Sequence, residues 1–185
     1  MIPEYQFFHG AFLHEIVVTA GSEVTISLKD IHGRRNAFAI NDKIGVLIKH
    51  SSARLTPWSF TFTKENLAEL LALRAETNVC FVALVCDDDG FVCIRDSDLI
   101  EILSPKQADA VAVRVDRRPR KMCRVSSSGN SLDRKLAKGV HEIVAEIKRF
   151  QTAGGVNLHS HLTSQKVEIE QTSSGDSGTN DNLSA

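Results

Sequence analysis

The stretch from residue 44 to residue 73 constrains the fold more than any other part of this chain. It begins with the apolar run IGVLI, reaches Lys49, and continues through a polar stretch to the segment WSFTF. Alternation of aromatic and small polar residues is typical of a β-strand with one buried face. Thr63 then provides an N-cap for a helix that begins at Lys64. The order of strand, lysine, aromatic strand and helix predicts an α/β domain.

The flanking segments extend this pattern on both sides. Residues 5–19 place apolar side chains on one helical face, and residues 23–31 and 36–40 show the period of strands. The uninterrupted apolar run VCFVALVC predicts a central strand that is covered on both faces. Residues 134–150 favour a last helix. We therefore expect an α/β (α+β) fold in which helices flank a mixed central β-sheet.

The composition divides the chain into one domain and a tail. We expect residues 1–150 to form a single domain, because serine, threonine, asparagine, glycine and acids dominate beyond it. Residues 151–185 are therefore predicted to be disordered. No apolar run approaches the roughly 18 residues of a membrane span, and no signal-peptide pattern is present, so a soluble, cytoplasmic protein is expected. The four cysteines, without a CxxC pair, are typical of free buried thiols.

A strongly basic segment, VRVDRRPRKMCRV, surrounds a proline-containing turn. Guanidinium groups bind phosphate in a bidentate manner, so grouped arginines suit contacts to a nucleic-acid backbone. A solvated network of surface ion pairs with Asp116 and Asp133 is the alternative. The candidate nucleic-acid-binding residues of this segment are Arg117, Arg118, Arg120 and Lys121.

A second candidate surface arises if the first helix packs beside the strand pair. The side chains that would line this cleft are His9, Lys49, His50, Arg54 and Trp58. Lysine and arginine would contact phosphates, and the Trp58 indole would stack on a base or sugar. A core position is the alternative for Trp58, since Phe60 and Phe62 lie on the same face of its strand.

The order of these elements resembles the core of the PD-(D/E)XK nuclease-like superfamily and, within it, the bacterial Holliday-junction resolvases. The similar pieces are IGVLIK, HSSARLTP, WSFTF, ENLAELLAL, VCFVALVC and DGFVCI, and the similarity covers about residues 5–104. The resemblance implies a restriction-endonuclease-like core, nucleic acid as the partner, and a homodimer. For an active member it also implies Mg²⁺ as the cofactor and hydrolysis of phosphodiester bonds.

The resemblance further implies which residues would form an endonuclease site. Lys49 matches the catalytic lysine, which orients the attacking water or stabilises the transition state. Asp42 would match the first metal-binding acid and Glu15 an accessory acid, so both are candidate Mg²⁺ ligands. The second acid of the family pattern, two residues before the lysine, is replaced by Leu47. A migrated acid, Glu15 or Asp30, would have to compensate for this loss.

Three functions therefore stay open at this point. The chain is a metal-dependent endonuclease, a non-catalytic relative that keeps the nuclease scaffold to bind nucleic acid, or a non-enzymatic α/β regulatory module that binds a protein partner. A pair of carboxylates close to the Lys49 ammonium group would favour the endonuclease. Without such a pair, the binding module is favoured and no cofactor is expected.

Overall fold

The computed structural model describes residues 2–51, 53–103 and 109–153. In this part of the chain the protein has four α-helices, a five-stranded mixed sheet and a three-stranded antiparallel sheet, which confirms the predicted α/β class. Residues up to 148 belong to one compact unit. The tail that the sequence predicts to be disordered lies outside the described residues from residue 154 onwards. No helix of the described part is both long and apolar enough to cross a membrane.

In chain order the elements are α1 (Glu4–Ala20), β1 (Ile26–Ile31), β2 (Arg34–Ile40), β3 (Ile44–His50), β4 (Trp58–Thr63), α2 (Lys64–Glu76), β5 (Val79–Val85), β6 (Phe91–Arg95), α3 (Asp96–Leu103), β7 (Ala110–Asp116), β8 (Arg124–Ser127) and α4 (141–153).

The first sheet has the strand order β1-β2-β3-β5-β6. Strands β1, β2 and β3 form an antiparallel meander, β5 lies parallel to β3, and β6 returns antiparallel to β5. Strand β5 is buried from Cys80 to Val85. Its apolar run therefore corresponds to the central strand that the sequence predicts.

Both faces of this sheet are covered. On one face, a single apolar core joins α2, α3 and the second sheet, and it includes Leu47, Phe60, Leu70, Val82 and Leu99. On the other face, the ring of Phe12 in α1 meets Phe91 of β6 edge-on at 5.3 Å between ring centres. There, too, Arg95 of β6 forms an ion pair with Glu146 of α4. The sheet therefore forms the middle layer of the domain.

The second sheet, with the order β4-β7-β8, is a feature that the sequence analysis does not predict. Strand β4 pairs antiparallel with β7, so that Trp58 lies opposite Val115 and Phe62 opposite Val111. Alternation identifies β4 as a strand but does not identify its partner. One edge of β3 pairs with β2 and the other edge pairs with β5, so β4 has no free edge of β3 to join. It pairs with β7 instead.

The last helix begins at residue 141 rather than at the predicted residue 134. Gly139 has a φ angle of +97°, which interrupts any helix that would pass through it. Before it, Leu136 exchanges backbone hydrogen bonds of 2.8 and 2.9 Å with Cys123. The Gly139 amide donates to the Phe91 carbonyl at 2.7 Å. The segment before α4 therefore extends the edges of the two sheets.

The close approach of α2 to the sheet at Gly45 gives a stability test. A methyl group added at Gly45 would lie 2.6 Å from Sγ of Cys80, 2.7 Å from Cγ of Leu73 and 2.9 Å from Oγ1 of Thr77. We expect Gly45→Ala to lower the free energy of unfolding by about 1–3 kcal/mol, because the core has no room for the methyl group. Urea denaturation measures this change.

The matched control is Gly10→Ala in α1, where the added methyl group meets no atom within 4 Å. Alanine favours the helix over glycine by about 1 kcal/mol, so this variant should be as stable as the wild type or more stable. A Gly45→Ala protein that equals the control in stability would contradict the tight packing of α2 on the sheet.

Candidate functional site

Lys49 lies near the end of β3, on the sheet face that packs against α2. Its Nζ donates a hydrogen bond to Oδ1 of Asn66 at 2.9 Å and lies 5.0 Å from the centre of the Phe62 ring. Burial lowers the pKa of the Lys49 ammonium group; the carboxylate of Glu69 opposes this shift, and the Arg34 guanidinium adds to it. Lys49 is therefore a partly desolvated cation held in a fixed position.

Asn66 is fixed by the cap of α2. The Thr63 hydroxyl accepts a hydrogen bond from the Asn66 backbone amide at 3.4 Å, and Oδ1 of Asn66 accepts one from the Thr63 backbone amide at 3.2 Å. This is a capping box, in which two backbone donors at the helix start are satisfied reciprocally. The oxygen that closes the box also accepts the hydrogen bond from Lys49. The start of α2 thereby positions the lysine.

Glu69, one turn further along α2, is the carboxylate that belongs to this group. It is only 1 % exposed. Its Oε2 accepts a hydrogen bond from Nδ2 of Asn66 at 3.4 Å and pairs with Nη1 of Arg34 at 3.5 Å. Its Oε1 has no hydrogen-bond partner in the described part of the chain. A chain of polar contacts thus runs from Lys49 through Asn66 and Glu69 to Arg34, and links β3, α2 and β2.

An open cleft of about 500 Å³ leads from the surface to this group, and we name it the Lys49 cleft. Its cations are Arg34, Arg35 and Lys49, and its ring-bearing side chains are Tyr5, His9 and His50. The amides of Asn36 and Asn66 also line it. Among the described residues that line the cleft there is no carboxylate. The surface is therefore suited to an anion.

Ring packing holds the α1 side of this cleft. The His9 imidazole meets Tyr5 edge-on at 5.5 Å and Phe38 edge-on at 5.7 Å, while His50 stacks on Phe8 at 5.8 Å. Burial lowers the pKa of His9, and the nearby His50 lowers it further. His9 is accordingly neutral at pH 7, since the ordinary pKa of histidine is already about 6.5.

The structure does not bring the three predicted acids to Lys49. Asp42 is exposed in the β2–β3 turn, at the other end of β3, roughly 20 Å away at about 3.3 Å per strand residue. Glu15 of α1 lies beside Gly139, where a methyl group added to that glycine would be 3.1 Å from Oε1 of Glu15. Asp30 is exposed at the β1–β2 turn. Asp42 and Glu15 are therefore not placed to hold a metal ion beside Lys49, and the Asp30 carboxylate lies 3.9 Å from Nε of Arg35.

The donor set around Lys49 does not fit Mg²⁺. Leu47, at the position of the second acid, is fully buried and lies between Ala37 of β2 and Val82 of β5. Mg²⁺ requires an octahedral set of oxygen ligands, usually including one or two carboxylates that are free to bind it. Glu69 is already paired with Arg34. In the described residues, no group of three or more histidine, cysteine, aspartate and glutamate side chains is arranged to hold a metal ion.

Two further predicted residues lie outside the Lys49 cleft. Trp58 is 4 % exposed and belongs to the core between the sheets, so its ring is not accessible to a base. This corresponds to the core alternative for that residue. Arg54 is exposed in the linker between β3 and β4 and does not line the cleft. Accessible rings on the described lining of the cleft are those of Tyr5, which is 42 % exposed, and of the exposed His50.

The basic segment forms a second cleft of about 530 Å³ at the β7–β8 hairpin, which we name the hairpin cleft. It is lined by Asp116, Arg118, Lys121, Met122, Arg124 and Lys135. Within the described part of the chain, these four cationic side chains form no ion pair. Arg120 is exposed in the hairpin turn with a φ angle of +60°. The predicted Arg118 and Lys121 are therefore brought together.

Arg117 has a different role from its neighbours. Its guanidinium group binds both carboxylate oxygens of Asp89, and the distance from its Nε to Oδ2 is 2.7 Å. Its backbone amide donates to Oγ1 of Thr56 at 3.1 Å. These contacts join the end of β7 to the β5–β6 turn and to the linker before β4. Arg117 thus orients the hairpin, and its guanidinium group is already engaged by the Asp89 carboxylate.

The sequence analysis does not single out Tyr5, Arg34, Asn66 or Glu69 as site residues. The position of Asn66, three residues after the N-cap Thr63, is a sequence signal, because a side chain there can close a capping box.

The chain matches no protein-family model, no curated protein and no solved structure.

The lowered pKa of His9 predicts an acid sensitivity of the fold. The unfolded chain takes up this proton near the ordinary pKa of about 6.5, whereas the folded chain takes it up only at lower pH. The free energy of unfolding should therefore fall as the pH drops from above 6.5 through that window. In His9→Phe, which keeps a ring between Tyr5 and Phe38, this loss should be smaller. Urea denaturation at pH 7.5 and pH 5.0 measures it.

His14→Phe is the matched control, because His14 is exposed on the same helix. It should keep the pH dependence of the wild type. A His9→Phe protein that loses as much stability between the two pH values as the wild type would show that His9 does not carry this dependence.

Proposed function

We propose that this protein binds nucleic acid at the Lys49 cleft, using a nuclease-like scaffold without metal-dependent hydrolysis. The observation that carries the proposal is the lining of the cleft, which combines Arg34, Arg35 and Lys49 with no carboxylate among its described residues. Phosphate oxygens are the anions that guanidinium and ammonium groups recognise in nucleic acids.

The geometry of the cations supports phosphate binding. Arg34 uses Nη1 for the buried Glu69, so this contact orients the guanidinium group and leaves its other nitrogens for a ligand. The Arg35 side chain is largely exposed, although its Nε lies 3.9 Å from the Asp30 carboxylate. Lys49 is held beside the first turn of α2, where the helix dipole adds to the positive potential.

The element order supports the scaffold part of the proposal. The core implied by the resemblance is a helix, a three-strand meander, a second helix and a central strand. Here α1, the meander β1-β2-β3, α2 and β5 occur in that order, with β4 of the second sheet inserted between β3 and α2, and with β5 parallel to β3. By the resemblance, Lys49 corresponds to the family's lysine, whereas Leu47 and the ion-paired Glu69 argue against a metal ion. This combination favours binding over cutting.

The hairpin cleft supports further backbone contacts within the same function. Its four cations project from β8, the hairpin turn and the segment before α4, with Asp116 as the single carboxylate on its described lining. Exposed cations of this kind contact phosphates without reading the base sequence. The hairpin cleft would therefore raise affinity rather than specificity.

A regulatory module that binds a protein partner, or a second copy of this chain, is the second candidate function. The observation in its favour is the outer face of α1, where Phe7 and Val18 are exposed by 60 % and 64 %. Exposed apolar side chains contribute to a protein interface where they form a contiguous patch. Nucleic-acid binding that depends on the Lys49 cleft would distinguish the first proposal from this one.

Salt-dependent binding tests the proposed function. In a fluorescence anisotropy titration with a labelled oligonucleotide, log K should fall linearly with log of the salt concentration, because binding releases counterions. Arg34→Gln/Arg35→Gln keeps a donor for Glu69 but removes two charges. It should reduce the slope by about 2 and weaken binding. Lys29→Gln/Lys43→Gln, which removes one charge from β1 and one from the β2–β3 turn, is the matched control and should keep the slope of the wild type.

The same titration tests the hairpin cleft through Arg118→Ala/Lys121→Ala. A smaller slope would assign phosphate contacts to this cleft, and an unchanged slope would remove it from the binding surface. If the Arg34→Gln/Arg35→Gln protein binds with the slope and affinity of the wild type, the Lys49 cleft is not the binding site.

Hydrolysis is tested separately with branched, duplex and single-stranded substrates in Mg²⁺ or Mn²⁺. We expect no cleavage above that of a Lys49→Ala protein, because the carboxylate that the described residues place beside the lysine, Glu69, is buried and already ion-paired. Metal-dependent cleavage by the wild type that disappears in Lys49→Ala would contradict the non-hydrolytic part of the proposal.

A further inference from the structure

The Lys49 cleft has two chemically different kinds of lining. Rings come from Tyr5 and His9 on α1 and from His50 at the end of β3. Cations come from Arg34 and Arg35 at the start of β2, together with Lys49. A simple phosphate site needs only the cations. A ligand that uses both kinds of side chain must carry a planar apolar ring and an anionic group.

Tyr5 is the ring best placed to receive such a ligand. It packs edge-on against His9, with 69° between the ring planes, and is nevertheless 42 % exposed. His9 in turn packs edge-on against Phe38 of the sheet. The contact with His9 thus fixes the Tyr5 ring, and part of Tyr5 stays exposed on the lining of the cleft. Ring-on-ring stacking of this kind accepts any nucleobase, since every base has a π-face.

The polar groups of the cleft also suit a base. The side chains of Asn36 and Asn66 line the cleft, and Oδ1 of Asn36, which is buried, has no hydrogen-bond partner in the described part of the chain. A side-chain amide can pair with the edge of a base, and that edge is engaged by the opposite strand in a duplex.

From these observations we propose that the Lys49 cleft receives one unpaired nucleotide of a single strand, with its base on Tyr5 and its phosphate on Arg34, Arg35 and Lys49. This inference rests on the proposed function and narrows its ligand to single-stranded nucleic acid. A volume of about 500 Å³ lies in the range of sites for one small molecule, roughly 300–1,000 Å³. A duplex covers the faces of its internal bases, so it presents phosphates, sugars and groove edges to such a cleft but no base face for stacking.

The experiment compares a labelled single strand with the blunt duplex of the same sequence, using the full chain at one salt concentration. The wild type should bind the single strand at least tenfold more tightly. Tyr5→Ala should weaken single-strand binding by roughly 5- to 150-fold, which is the usual effect of removing a stacking ring, and should leave duplex binding unchanged. Tyr5→Phe keeps the stacking face and should bind as the wild type does.

Phe7→Ala is the matched control, because Phe7 is an exposed ring two residues away that does not line the cleft. It should bind both ligands as the wild type does. Equal affinity of the wild type for the two ligands, or full single-strand binding by Tyr5→Ala, would overturn this inference.

Different results would contradict the proposed function and the inference about an unpaired nucleotide. If Arg34→Gln/Arg35→Gln weakens both ligands while Tyr5→Ala weakens neither, the cleft binds phosphates only and the inference about an unpaired nucleotide is wrong. If neither ligand binds in a salt-dependent manner, the proposed function itself is wrong. Thermal unfolding of each variant verifies that the fold is intact.

Discussion

The hydrogen bond from Lys49 to Asn66 is the contact on which the site depends. It joins the end of a central strand to the capping box that starts α2, because one amide oxygen serves both. Through the same side chain it reaches Glu69 and then Arg34 on β2. Loss of one partner in such a buried chain leaves another unpaired, which typically costs about 1–3 kcal/mol. The position of the cations is therefore coupled to the stability of the helix start.

Strand β3 carries the lysine that the resemblance implies for catalysis but has a leucine in place of the second acid. Leu47 and Lys49 lie on the same face of the strand, two residues apart. Leu47 is sealed in the core, whereas Lys49 reaches the cleft at the strand end. Arg34 and Arg35 have carboxylate partners in Glu69 and Asp30, but neither carboxylate is on the described lining of the cleft. The lining itself carries three cations, which attract an anion and repel a divalent cation.

Local patterns predicted the parts of the structure that local sequence determines. The central strand, the strand β4 and the capped start of α2 follow from an apolar run, an alternation of aromatic and polar residues and an N-cap residue. The partner of β4 did not follow, because alternation shows which side chains share a face but not which strand lies alongside. The role of Trp58 depended on the same missing information. Glu69 and the Arg117–Asp89 pair depend on contacts between elements distant in sequence, which no local pattern encodes.

Chemical-shift mapping by NMR tests the central claim most directly. A short single-stranded oligonucleotide is added to the labelled protein, and the backbone amide, side-chain amide and aromatic ring signals are followed. Binding at the Lys49 cleft predicts shifts concentrated at residues 33–36, 49–50 and the side-chain amide of Asn66, together with the ring of Tyr5, and their reversal at high salt. Shifts confined to the outer face of α1, or none at millimolar oligonucleotide, would contradict the account.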